Sequence, residues 1–176
     1  PITAVFIQDH RLPRSKNKAT ERLAKGMNML AITSHAPPHP RTGVCYGGTM
    51  IIMPYETIEK LEGETIHAAC DRIKRTRKTA AHGRYVSIRT KVGNKVRKLT
   101  AAYAPAQPDR REDFFRTITP LITRRTVLGI DANCVPDVTL DLKRDAQTPY
   151  NNTGAQACHA MVDNNALIDV VREVKG

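Results

Sequence analysis

Two strand-like runs, Arg84 to Lys91 and Lys95 to Tyr103, lie on either side of Gly93-Asn94. A pair of that composition suits a tight hairpin turn, so the segment predicts an antiparallel ribbon. Alternation then puts Tyr85, Ser87 and Arg89 on one face and Val86 and Ile88 on the other. The rest of the chain must fold around this ribbon. Ile2 to Gln8 is almost continuously apolar and reads as a buried strand ending at Asp9. Arg14 to Lys25 reads as a short polar surface helix, and Met27 to Ser34 as a second strand. The prolines in Ala36-Pro37-Pro38-His39-Pro40 force a loop. Gly43 to Met53 is strand-like, with Gly47-Gly48 marking a bulge or a close backbone approach. Thr57 to Lys78 is polar and fits no single element.

A helix is predicted after Pro108-Asp109, because Phe114, Phe115, Ile118, Leu121 and Ile122 recur at helical spacing. A strand, Thr126 to Ile130, follows. A last helix starts near Thr153 and carries Ala157, Met161 and Val162 on one side. With no repeat and no linker, residues 1–176 read as one α/β domain with sheets packed between helices.

A length of 176 residues supports one core, and a 40% hydrophobic content argues for folding rather than disorder. The 28 Lys and Arg outnumber the 17 Asp and Glu, for a net charge of +11. That excess favours a polyanionic partner, nucleic acid first, although a basic surface without a specific partner gives the same count. No apolar run reaches the roughly 18 residues of a membrane-spanning helix. Cys45, Cys70, Cys134 and Cys158 are far apart with no C-x-x-C pair, which fits reduced thiols in an intracellular setting.

The segment Thr126-Val127-Leu128-Gly129-Ile130-Asp131-Ala132-Asn133 carries the chemistry. An apolar strand runs into an acid and an amide two residues apart, and extended backbone would project both to one side. A carboxylate that orients water, beside an amide that holds a phosphate oxygen, suits phosphoester chemistry. Polar residues at strand ends usually belong to turns, so the pattern needs the company of others.

That company is present, in order. Phe6-Ile7-Gln8-Asp9-His10-Arg11-Leu12 comes first, then Gly43-Val44 before an apolar strand. Gly83-Arg84-Tyr85 through Ala102-Tyr103-Ala104-Pro105 is third, and Gly129-Ile130-Asp131-Ala132-Asn133 with Leu167-Ile168-Asp169-Val170-Val171-Arg172 is fourth. Together these resemble the endonuclease/exonuclease/phosphatase family, and within it the apurinic-type endonuclease domain of non-LTR retrotransposons. The resemblance spans nearly the whole chain. It implies a four-layer α/β/β/α sandwich of the deoxyribonuclease I-like type. It also implies Asp9 as a ligand to Mg²⁺, with Mn²⁺ as the alternative. Tyr103 would reach the scissile phosphate, Asp131 would orient or deprotonate the attacking water, and Asn133 would hold the phosphate or the groups around it.

The chain departs from that pattern in two ways. Asp9 stands where the family has a glutamate, one methylene longer, and Mg²⁺ tolerates little geometric error. The family's opening strand with its asparagine would precede Pro1, and its closing Ser-Asp-His segment is not found after Arg172. The expectation is therefore a partial, truncated domain that keeps the central residues and lacks a catalytic histidine.

Arg72, Lys74, Arg75, Arg77 and Lys78 form a basic run that reads equally as a phosphate grip, a nuclear-import signal or a solvated stretch. Arg84 and the hairpin cations add to a candidate nucleic-acid surface. His35 and His39 are four apart like helical metal ligands, but the intervening prolines make them loop residues. His159 reads as a surface or half-buried helix position, and Asp169 with Arg172 as a surface ion pair. The resulting expectation is a Mg²⁺-dependent endonuclease that nicks DNA, is nuclear, and continues into a reverse transcriptase. The alternatives are a non-catalytic nucleic-acid-binding remnant and a phosphoesterase acting on RNA or small phosphate esters.

Overall fold

A computed structural model describes residues 2–135, 151–170 and 173. The fold is mixed α/β, with two antiparallel-containing sheets and four α-helices among those residues. The chain divides into two compact units. The first takes Pro1–Tyr103 and Val127–Asp131, and the second Ala104–Thr126 and Ala132–Gly176.

In the first unit, β1 (Val5–Gln8), β2 (Met29–Ser34) and β3 (Thr49–Pro54) form one sheet in the order β1-β3-β2. The second sheet runs β4 (Lys78–Ala80), β5 (Tyr85–Val92), β6 (Lys95–Tyr103) and β7 (Thr126–Asp131) in chain order. The hairpin is present as expected: Val92 pairs with Lys95, leaving Gly93-Asn94 as a two-residue loop. Its alternation is less simple than polar against apolar. Tyr85, Val86, Ser87 and Ile88 are all buried, because β5 is a central strand.

One core joins the two sheets. Leu30 and Ile32 from β2 and Ile51 and Met53 from β3 pack with Val86, Ile88, Leu99 and Ala101. Burial of one such Ile or Met side chain stabilises the fold by about 1.5–3 kcal/mol. On the other face of the first sheet, Ala31 and Met50 pack on Ala24 of α1 (Asn17–Gly26). Period-two alternation explains the split: Ile51 and Met53 face one way, Met50 the other. The undecided segment resolves into α2 (Ile66–Arg75), capped by the Thr65 hydroxyl accepting from the Ala68 N–H. Its Ala69, Cys70 and Ile73 join the main core.

Three expectations need correction. The first strand lies at a sheet edge rather than buried, and Val5 is 44% exposed. An apolar run signals burial on both faces only where both faces are covered by other elements; β2, the opposite edge, is covered on both, and β1 is not. The strand expected from Gly43 begins only at Thr49, because Gly47 and Gly48 hold φ of 106° and 94°, outside extended backbone. In the second unit, the last helix is α4 (Ala155–Asn164); of the expected stripe Met161 is buried, while Ala157 and Val162 are half-buried and Cys158 takes the second buried place.

The second unit also holds α3 (Arg111–Ile118), whose Phe114, Phe115 and Ile118 are buried as their spacing predicts. All four cysteines are free thiols. No helix among the described residues is long and apolar enough to cross a membrane. Val171 and Arg172 of the fourth motif, with the Asp169–Arg172 pairing, lie outside the described residues.

Candidate functional site

The candidate residues of the first unit stand at the ends of β1, β6 and β7. Gln8 closes β1 and reaches across the core, its Nε2–H donating to the Gly129 carbonyl of β7 at 3.1 Å. Gly129 permits this approach: a Cβ there would sit 2.5 Å from Phe6 Cγ. The contact ties the end of β1 to β7, whose last residue is Asp131.

Asp9 leaves the strand with φ of 53°, and Arg11 repeats that value. Such left-handed backbone is uncommon outside glycine and persists only where side chains hold it. Here they do. Asp9 Oδ2 accepts from Arg11 Nε at 2.9 Å and Nη2 at 2.7 Å. Asp9 Oδ1 accepts from the Gly47 N–H at 2.8 Å. The Arg11 N–H donates to the Gly47 carbonyl at 3.0 Å, which closes the turn on the loop before β3. The hydrogen bond to Asp9 raises the already high Arg11 pKa further.

His10 pins the same turn from behind. The Leu12 N–H donates to its Nδ1 at 3.0 Å, so Nε2 carries the ring hydrogen and donates to the Ser34 carbonyl at 3.1 Å. Burial, with the neighbouring His35 adding to it, lowers the His10 pKa. Gly48 leaves room for this ring, since a Cβ there would lie 2.5 Å from it.

Arg84 approaches the Tyr46-Gly47 pair from the second sheet. Its Nη2 donates to the Tyr46 carbonyl at 3.3 Å. Its guanidinium carbon stands 4.9 Å from the centre of the Tyr103 ring, a cation–π contact worth about 0.5–2 kcal/mol. Arg84 Nη1 is buried and has no hydrogen-bond partner. Leaving a buried donor unpaired costs about 1–3 kcal/mol, more when it is charged. The Gly47 and Gly48 expectation of a close backbone approach therefore holds, with Arg84 and His10 as the groups that approach.

Asn133 belongs to the second unit. Its Nδ2–H donates to the Ala104 carbonyl at 2.7 Å, and its φ is 48°. Extended backbone ends at Asp131, so the rule that placed residues 131 and 133 on one side does not reach Asn133. In the basic run, Arg72 is committed within the protein. It forms a paired contact with Glu64 at 2.9 and 3.0 Å and donates to the Glu59 carbonyl. Arg72 is the main reason that the Glu64 pKa drops to about 2. Lys74 lies 3.8 Å from Glu21. Arg75, Arg77 and Lys78 are exposed, and they spread over the end of α2 and the start of β4.

The residues around Asp9 do not, as they stand, fit a metal ion. Both carboxylate oxygens already accept N–H donors, and one donor group is itself a cation. Among the described residues, no group of three His, Cys, Asp or Glu side chains is placed to hold a metal. What the arrangement does offer is two guanidinium groups around one glycine turn, with Tyr103 against one of them. Sequence reading passed over Arg11, Tyr46 and His10. The signal available was Gly47-Gly48, whose missing side chains make space for two of their neighbours.

No protein-family model matches the chain, and no curated protein matches it.

Proposed function

We propose that this chain binds nucleic acid, DNA in particular, and hydrolyses its phosphodiester, as the nicking endonuclease part of a retrotransposon polyprotein. The observation that carries the reading is the Gln8–Gly129 hydrogen bond, which ties the end of β1 to β7. A phosphodiester placed there would meet the charge of Arg84 and the hydroxyl of Tyr103, with Asp131 as the group that would orient water. Donors fixed before the substrate arrives supply most of the catalysis in reactions of this class. The net charge of +11 favours a polymer over a small phosphate ester. On this reading the two sheets and their helices are part of a four-layer sandwich of the deoxyribonuclease I type. The protein would act in the nucleus and continue into a reverse transcriptase. Mg²⁺ or Mn²⁺, implied by resemblance, would neutralise phosphate charge when bound, and would compete with Arg11 and the Gly47 N–H for Asp9.

A second reading is favoured by that same Asp9–Arg11 contact: a nucleic-acid-binding remnant without turnover. Nicking of supercoiled plasmid in Mg²⁺, beside EDTA and Asp131→Ala, separates the two. Hydrolysis predicts Mg²⁺-dependent nicking that falls by about a hundredfold or more in Asp131→Ala. A folded, DNA-binding protein that leaves the plasmid intact supports the remnant. Nicking that survives Asp131→Ala removes Asp131 from the site.

A further inference from the structure

The turn that should present a carboxylate to a metal presents a guanidinium instead. Arg11 spends Nε and one Nη2 hydrogen on Asp9, while its side chain stays 60% exposed. Nη1 and the second Nη2 hydrogen thus lie on its outer edge. Arg84 flanks the same Tyr46-Gly47 pair: a Cβ on Gly47 would lie 3.1 Å from Arg84 Nη1, the nitrogen that has no protein partner. Two planar, permanently charged forks at one turn match phosphate oxygens, which accept paired charge-assisted hydrogen bonds.

Resting on the nucleic-acid reading above, we infer that Arg11 and Arg84 form a phosphodiester seat that holds the backbone without a divalent cation. Asp9 is then a positioning residue for Arg11. As a unit the Asp9–Arg11 pair is neutral, so the net charge of the seat comes from Arg84. Arg84 Nη1 lies buried against Gly47, so Arg84 contributes its charge to the seat while the exposed Arg11 supplies the donors.

The test is fluorescence anisotropy of a labelled DNA duplex with the whole chain, in EDTA and in Mg²⁺ at matched ionic strength. The wild type is expected to bind equally within about twofold in both, because the donors are the chain's own. Arg84→Gln is expected to weaken binding about tenfold and to reduce the salt slope by about one. Arg11→Gln uncovers the Asp9 charge and is expected to weaken binding by about tenfold as well, with Asp9→Asn in the same chain recovering part of the loss. Lys60→Gln, an exposed cation outside the cluster, sets the size of a nonspecific charge effect.

A wild-type affinity that falls tenfold or more in EDTA overturns the inference. So do Arg84 and Arg11 variants that bind like Lys60→Gln. If circular dichroism shows Arg84→Gln unfolded, the exposed Arg11 series decides alone. Nicking is scored apart: EDTA-stable, arginine-dependent binding with an intact plasmid keeps the seat and removes hydrolysis. Nicking with EDTA-sensitive binding does the reverse.

Discussion

Each of the two units holds an arginine against a glycine, and the two are used in opposite ways. In the second unit Arg111 is 7% exposed and donates to four main-chain carbonyls. These are Pro105, Ala106, Asn151 and Thr153, at 3.2, 2.8, 3.0 and 3.3 Å. Gly154 makes room for it, since a Cβ there would lie 2.6 Å from Arg111 Cβ. In the first unit Arg84 rests on Gly47 with one weak donation and one buried nitrogen unpaired. A guanidinium with its donors engaged by backbone is a staple. One with fewer donors engaged, beside a turn, is the group proposed above to meet phosphate. Side-chain type is the same in both; the supply of carbonyl oxygens separates them.

The comparison breaks most sharply by mutation. Arg111→Ala removes a buried guanidinium and the donor to four carbonyls and is expected to cost about 2–4 kcal/mol in urea unfolding, whereas Arg84→Ala costs within about 1 kcal/mol. Equal losses would mean that Arg84 is a staple too. Next in size, Gly48→Ala drives a Cβ into His10 at a φ of 94° and is expected to cost about 1–3 kcal/mol. That change also disturbs the Asp9 turn, so DNA affinity should fall with stability, whereas Arg84→Gln should lower affinity alone.

Protonation probes the same turn more gently. The folded His10 pKa lies below its ordinary 6.5, so the unfolded chain takes the proton first. Stability is then full above that ordinary value and declines as pH falls through the window below it. The proton would land on Nδ1, which must accept from the Leu12 N–H. Groups facing it are the Ser34 carbonyl and His35. Thermal melts from about pH 7.5 to 5.5 should show the decline, and His10→Gln should flatten it. A wild-type slope retained in His10→Gln would assign the effect elsewhere. The smallest change is expected at Glu64, with its pKa of about 2 beside Arg72. Its contribution is present above the unfolded value near 4.5 and fades as pH falls toward 2. Glu64→Gln should lack that fading while leaving DNA binding unchanged.

Much of the fold was legible because it depends on local rules. Gly93-Asn94 set the hairpin register, helical spacing placed Phe114, Phe115 and Ile118 inside, and prolines excluded structure at residues 36–40. Legibility failed where neighbours decide. An apolar β1 says nothing about whether both its faces are covered. The polar-looking Thr57 to Lys78 hid α2, whose Ala69, Cys70 and Ile73 form a narrow apolar stripe among charges. At the candidate site, Asp9, Tyr103 and Asp131 were picked out as residues. Arg11's hold on Asp9 was not, since it requires two left-handed residues that no composition signals.

By itself, then, the sequence determined the hairpin at Gly93-Asn94 and the buried face of α3, because periodicity and turn chemistry act over a few residues. Only the tertiary structure decided what each charge touches. A carboxylate is a metal ligand, an ion-pair partner or a positioning group according to the atoms within about 3 Å of it. Those atoms come from Arg11 and from Gly47, 38 residues away along the chain.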